Sequence, residues 1–301
     1  MEAASKLEIT SESLSPAKKI DWVESVFHWL FLISAMVGVI SVITIGWFVF
    51  YEGIPAFKEA GIFNFLFGKE WLPPALYGIS SMIVASLIST AGAVIIGVPV
   101  ALLTAIFLAE IAPKWLADIV RPAVELLAGI PSVVYGFFGL IVIVPAIESI
   151  FNIPAGNTLL AGIIVLAIMI LPTVITISET SIRALTPSYK AGALALGASH
   201  IYSIFNVLLP AARSGIYTGI ALGIARAIGE TMAIIMVMGN APAMPGSLLE
   251  PARSLTANIA MEMSYATGIH ASALYSTGIV LLTFIVLLNA GLLMLNRKRG
   301  H

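Results

Sequence analysis

Apolar residues in this chain do not alternate with polar ones. They come in long runs, separated by short stretches that are polar or rich in Pro and Gly. Six runs, near 28–51, 78–110, 119–149, 158–185, 212–239 and 272–296, are long enough to cross a hydrocarbon core of about 30 Å, which takes roughly 20 helical residues. The second, third and fourth exceed a perpendicular crossing, so tilt, an interfacial extension or a kink at Pro99, Pro131 or Pro172 must absorb the excess. A strand barrel would show alternating segments of about ten residues, which these runs do not resemble. The pattern predicts an all-α polytopic membrane protein with six transmembrane helices.

Composition agrees: 59% of residues are hydrophobic and 10% charged, against about 25% charged in a soluble domain. The first run follows 27 residues that include Lys18 and Lys19 and is too long, without a clear small-residue cleavage site, for a removed signal peptide; it is expected to be retained. Its lead-in, "KKIDWVESVFHW", has an amphipathic pattern suited to the membrane surface. The expected organisation is a tail (1–27), a first helix (28–51), a core of five helices (78–296) with an inner loop (184–212), and a basic tail (297–301). The segments 52–77 and 240–270, with "WLPPALYG" and "GNAPAMPGS", suit short interfacial turns or helices.

Cations set the expected orientation, because cytoplasmic loops carry the excess of Lys and Arg. With the N-terminus inside, that side collects Lys6, Lys18, Lys19, Lys114, Arg121, Arg183, Lys190, Arg213, Arg297, Lys298 and Arg299, and the outside only Lys58, Lys69 and Arg253. Both termini are therefore expected in the cytoplasm of a cell-membrane protein. The remaining cation, Arg226, lies within an apolar run.

The usual enzymatic signatures are missing. There is no cysteine, so disulfides and thiolate metal sites are excluded. No G-x-x-x-x-G-K-[ST] loop, G-x-S-x-G or H-E-x-x-H occurs, and His28, His200, His270 and His301 are scattered over different segments. The chain is not expected to be an enzyme or to hold a metal, a cofactor or nucleic acid, and any ATP dependence must come from a partner.

Between Ser214 and Gly239 the only charges are Arg226 and Glu230. On a continuous helix Gly215, Gly219, Gly223, Arg226, Glu230 and Ala233 share an arc of roughly 80°. G-x-x-x-G spacing lets another helix approach closely, so this face is expected to look into the protein. Arg226, thirteenth of those 26 residues, is expected near the midplane, where a charge costs about 2.5–3.5 kcal/mol. Two readings stand: an Arg226–Glu230 ion pair that holds the bundle together, or a polar passage for an anion or proton. Arg can grip an oxyanion with two parallel hydrogen bonds. A protonated oxyanion such as hydrogen phosphate can also donate to Glu230, whereas sulfate cannot.

Other intramembrane polar residues have plainer readings. Glu125, one turn after Pro122, suits a helix N-terminus, and Glu179 and Arg183 suit an interfacial i,i+4 pair. Ser132, after Pro131, sits where a kink frees a carbonyl and either faces the passage or satisfies backbone. Met232, Met236 and Met238 read as core filler.

The inner loop "ALTPSYKAGALALGASHIYSIFNVLLPAARSG" is too apolar for a surface in water. Pro187 can open a helix, Gly197 break it and Pro210 close a second piece. The apolar surface is then buried on the bundle or in a groove of a separate cytoplasmic protein. "AGALALGAS" followed by "VLLP" resembles the EAA loop of ABC-importer permeases. Ala191, Gly192 and Ala193 stand at the Glu-Ala-Ala positions, and Gly197, Val207, Leu209 and Pro210 match the Gly and the Ile-x-Leu-Pro ending. Ala191 departs from the usual Glu. "LLAGIPSVVYGFFGL" (126–140) and "GIARAIGETMAIIMVMGNAP" resemble permease subunits of phosphate ABC importers, "GETMA" favouring the PstC-type over the PstA-type subunit.

That resemblance, over about 78–296, implies a type I importer (MetI-like) bundle that moves phosphate by alternating access. It also implies a PstA-like second permease subunit, two copies of a PstB-like ATPase docked on the loop, and a PstS-like extracellular phosphate-binding protein. A permease for another oxyanion, or a stand-alone ion-coupled carrier or channel, is the alternative.

Overall fold

The computed structural model describes residues 22–298. The expected tail up to Asp21, including both lysines of the amphipathic lead-in, and the last residues of the basic tail lie outside these described residues. The chain divides into two compact units, residues 1–48 and 49–301.

The described part of the first unit is the start of helix α1 (Trp22–Ala60). None of its described side chains is buried, and apolar residues occur on all its faces, as on a helix that lies in lipid.

The second unit begins with the rest of α1 and the short α2 (Ile62–Phe67), followed by a two-stranded antiparallel hairpin, β1 (Trp71–Leu72) and β2 (Leu76–Tyr77), with Trp71 opposite Tyr77. Helix α3 (Ser80–Ile106) ends in a π turn (Phe107–Ile111), and α4 (Lys114–Gly129) follows. Next come α5 (Ser132–Phe138), a π turn (Gly139–Ile143), α6 (Val144–Phe151) and α7 (Leu159–Arg183). The inner loop holds α8 (Pro187–Ala195) and α9 (His200–Ser203); a π turn (Ile204–Leu208) leads into α10 (Leu209–Gly229), and α11 (Met232–Val237), α12 (Leu255–Glu262) and α13 (Ile269–Lys298) complete the unit.

Among the described residues six segments are long and apolar enough to span: Glu24–Ala60, Ser80–Ile111, Ser132–Phe151, Leu159–Arg183, His200–Gly229 and Ile269–Gly291. The number matches the six apolar runs, but two positions differ. The third span starts at Ser132 rather than near 119, because Pro131 forces Ile130 into an extended conformation and ends α4 at Gly129. Pro122 lies inside α4, so Glu125 is a mid-helix residue rather than one at a helix start. The fifth span runs from His200 to Gly229 instead of 212–239. Pro210 does not close a helix; it sits in the first turn of α10, and the π turn before it carries the chain through without a break.

Helix α7 is the axis of the second unit, with most of its residues on the inward side buried. Small residues let its neighbours in. On α3, a Cβ at Gly92 would meet Ile163, and one at Gly97 would meet Ile170 and the Ala167 carbonyl. On α10, Gly215 abuts Ser181, Gly219 abuts Ile177 and Ser178, and Gly223 abuts Val174. Close backbone approach supplies the packing that lipid, as apolar as the side chains, cannot drive.

Candidate functional site

The α10 glycines meet α7 in descending order, so the two helices are antiparallel. Past the end of α10 the same course continues: Met238 lies against Gly162, and Gly239 against the Asn157 carbonyl. The chain thus follows the whole of α7 but is helical only in two pieces. Glu230 (ψ 131°) and Thr231 separate α10 from α11, beside the middle of α7.

Three side-chain hydrogen bonds brace this break. The Ala233 amide donates to Glu230 Oε1 (3.0 Å), the Thr231 hydroxyl to the Gly229 carbonyl (3.2 Å), and the Thr256 hydroxyl of α12 to the Glu230 carbonyl (2.8 Å). Interrupted helices survive inside a membrane only where such partners replace the lost backbone bonds. The neighbouring segment is interrupted too, at Ile130–Pro131, where the Tyr135 hydroxyl caps the Leu127 carbonyl (2.7 Å). The pieces beyond the two interruptions pack together, Gly136 of α5 lying against Ala233 and Met236 of α11.

Arg226 is in the last turn of α10 and half-buried. Its Nη1 donates to the Thr173 hydroxyl (3.3 Å). Thr173 is the fifteenth of the 25 residues of α7, which puts the guanidinium beside the middle of that helix. The expected geometry of the charged pair is corrected here. Among the described residues no ion pair joins Arg226 to Glu230. The helix stops between them, so they are not one helical turn apart, and Glu230 caps α11 instead. Arg226 therefore has Thr173 as its one hydrogen-bonding partner among the described residues. Ser132 opens α5, and its hydroxyl has no protein partner among them. Of the three methionines, Met238 is fully buried, whereas Met232 is exposed and is not core filler.

A second polar cluster lies toward the inner end of α7. Buried Glu179 accepts from Arg121 Nε of α4 (2.5 Å) and from Arg183 Nη1 (3.4 Å), and Arg121 also donates to the Leu108 carbonyl (2.9 Å) at the π turn after α3. The i,i+4 pair with Arg183 is present, but its partner 58 residues away is closer. A cavity of about 400 Å³ opens here, lined by Arg121, Glu125, Thr176, Glu179, Thr180 and Arg183, among others. Neither Thr173 nor Arg121 was identifiable as a partner beforehand; the sequence signal for Thr173 was only its position in an otherwise apolar stretch.

In the inner loop Ala191, Gly192 and Ala193 lie on α8, which has no buried residue. Gly197 has φ +87°, a left-handed turn that needs no Cβ, and Ser199 caps the next helix by accepting from the Tyr202 amide (3.2 Å). Val207 and Leu209 are half-buried and Pro210 is exposed, while Leu196, Ile201, Tyr202 and Phe205 remain outside the core. The loop's apolar surface is not used up against its own bundle. Lys190 Nζ reaches Glu110 Oε2 (2.6 Å) at the end of α3 and holds α8 in place.

At the end of the unit that carries the hairpin, Glu262 accepts from Trp71 Nε1 (2.9 Å) and Arg253 Nη1 (2.6 Å) and contacts His270 Nε2 (2.8 Å). Burial disfavours its charge, but these bonds and the Arg253 guanidinium outweigh that, so its carboxyl is held below the usual carboxylate value.

Comparison with known proteins places this architecture. Residues 97–301 match the profile of the "binding-protein-dependent transport system inner membrane component" family. The chain is 38% identical over 273 residues to a probable ABC transporter permease protein, YqgH, of Bacillus subtilis, covering 88% of each chain. It is 35% identical over 300 residues to the phosphate transport system permease protein PstC of Xylella fastidiosa, covering 91% of this chain and 92% of the relative. The fold also matches a chain of a bacterial alginate ABC transporter, with a TM-score of 0.65, 16% identity, and 92% and 97% of the two chains covered. By the profile match and by these relatives, the chain belongs to the family of binding-protein-dependent transport system inner membrane components.

Proposed function

We propose that this chain is the PstC-type permease subunit of an ATP-driven importer that moves inorganic phosphate across the cell membrane by alternating access, with both termini in the cytoplasm. The observation that carries the reading is Arg226: a guanidinium near mid-depth, beside a helix interruption, with only a hydroxyl as partner among the described residues. Such a group lowers the barrier for a dianion where hydrocarbon would raise it. The relatives named as phosphate permeases support the choice of oxyanion.

In this scheme Arg226 grips the phosphate oxygens, and Ser132, with its unused hydroxyl, lines the same passage. Glu230 fixes the break through one carboxylate oxygen and accepts the proton of hydrogen phosphate with the other. The seam of Gly215, Gly219 and Gly223 keeps α10 against α7, so that Arg226 stays in register with Thr173. ATP is hydrolysed on a separate subunit. The inner loop, through Ala191, Gly192, Ala193, Gly197, Val207, Leu209 and Pro210, docks one of two copies of a PstB-like ATPase, a PstA-like permease completes the passage, and a PstS-like protein delivers phosphate from outside. The exposed apolar loop supports this over a stand-alone carrier, which has no use for such a surface.

The test is reconstitution of the chain with those partners in lipid vesicles, following labelled phosphate after ATP addition. Uptake is expected to require the ATPase and to fall by about 100-fold or more in Arg226→Gln, as for the loss of a charged anion ligand. Uptake that ignores the ATPase, or that survives Arg226→Gln, would overturn the reading.

A further inference from the structure

Below Arg226, the inner half of α7 carries an unusual surface for an apolar span. Thr173, Thr176, Thr180 and Arg183 fall within an arc of roughly 80° and cover about 15 Å of helix rise. Burial separates this stripe from the packed face. Val174, Ile175, Ser178, Glu179 and Ile182 are buried, whereas Thr173 is half-buried and Thr176, Thr180 and Arg183 are exposed in the chain. The stripe begins at the hydroxyl that receives the Arg226 hydrogen bond. It ends in the cavity of about 400 Å³ shared with α4, which has room for an oxyanion with water around it, a water taking about 30 Å³. Hydrocarbon does not face a surface that also presents Arg121, Glu125 and Arg183, so the stripe borders a wet route.

The inner cluster is built unequally. Glu179 is held tightly by Arg121, which is anchored on the Leu108 carbonyl as well, and only loosely by Arg183 at 3.4 Å. Arg183 can leave Glu179 for another anion at little cost, because Arg121 keeps the buried carboxylate paired.

We propose that Thr173, Thr176 and Thr180 form a hydroxyl ladder that passes the oxyanion from Arg226 to a second, weaker station at Arg183, from which it is released inside. The inference rests on the phosphate reading and adds its exit path. The Thr180 hydroxyl donates to the Thr176 carbonyl within its own helix at 2.7 Å and can turn instead to a passing oxygen. Neutral hydroxyls bind an oxyanion weakly enough to let it go, which a row of arginines would not. Two carboxylates, Glu125 and Glu179, offset the two arginines lining the cavity, which makes the last station the easier one to leave.

The test uses the complete transporter in vesicles and measures phosphate moved per ATP hydrolysed. Thr176→Val/Thr180→Val keeps side-chain volume and removes both hydroxyls; the ratio is expected to fall about tenfold, the loss of one hydrogen bond to an ionised oxygen, and Thr176→Ser/Thr180→Ser to restore it. Arg183→Gln is expected to lower the ratio as well, and it serves as the test if the valine variant does not assemble. A ratio equal to wild type in the valine and Gln variants, or serine variants no better than valine, would overturn the ladder. Loss of uptake and hydrolysis in proportion, leaving the ratio unchanged, would show a merely structural role and overturn it too. Wild-type vesicles that take up no phosphate would overturn the phosphate reading and the ladder together, whereas wild-type uptake with unaffected variants removes the ladder alone.

Discussion

Glu230 is the residue whose role the structure changes most. A carboxylate four residues after an arginine in an apolar run reads as half of an ion pair, yet its Oε1 accepts the Ala233 amide and opens α11. Capping and the proposed proton acceptance can be separated by substitution. Glu230→Ala removes the acceptor and is expected to cost about 0.5–2 kcal/mol of stability, the range for a lost cap, read as a lower melting temperature in detergent. Glu230→Gln keeps an acceptor oxygen, so it is expected to melt near wild type while the preference for phosphate over sulfate narrows by about tenfold, since the amide no longer takes the cargo proton as a carboxylate does. A preference unchanged in the Gln variant would leave Glu230 with the cap alone. Arg226 was legible as a cation inside an apolar run, but its partner Thr173, 53 residues away, was not, because nothing local links them.

Among the elements, α8 carries Ala191, Gly192 and Ala193, on which the proposed ATPase docking would act. With no buried residue of its own, it is tied to the bundle by Lys190 on Glu110, a pair that is partly exposed and is worth about 1 kcal/mol or less in stability. Lys190→Ala is expected to leave the melting temperature within about 2 °C of wild type. Phosphate moved per ATP is expected to fall several-fold, and a charge-swapped Lys190→Glu/Glu110→Lys pair to recover part of it. Full coupling in Lys190→Ala would show that the α10 connection carries the stroke alone. The loop's helix start at Pro187 and its turn at Gly197 were legible because proline and left-handed glycine act locally. The passage through Pro210 was not, since the π turn that permits it depends on packing of Ile204 and Leu208 in the core.

For the whole second unit, the end that carries the hairpin is tied together by one buried carboxylate. Glu262 joins the hairpin through Trp71, the 240–258 segment through Arg253, which also holds the Asn240 carbonyl (2.8 Å) and Asn258 (3.0 Å), and α13 through His270. Its folded carboxyl titrates below its unfolded value of 4.5, so its contribution is fully present above that pH and is lost as pH falls through the depressed folded value. The melting-temperature gap between wild type and Glu262→Gln is therefore expected to be constant near neutrality and to shrink in acid below about pH 4.5. A gap that does not narrow there would mean that the network is held by shape rather than charge.

The sequence by itself determined the all-α class and the six apolar spans, because lipid imposes length and polarity residue by residue and these need no knowledge of neighbours. Tertiary structure decided where the helices stop and which charges meet. The interruption at Glu230 is held by Thr256 from α12, and Glu179 by Arg121 from α4. A helical period read from sequence assumes that the helix continues. Inside a membrane it stops only where a distant side chain replaces the lost backbone bond, so the break exists only once the chain has packed.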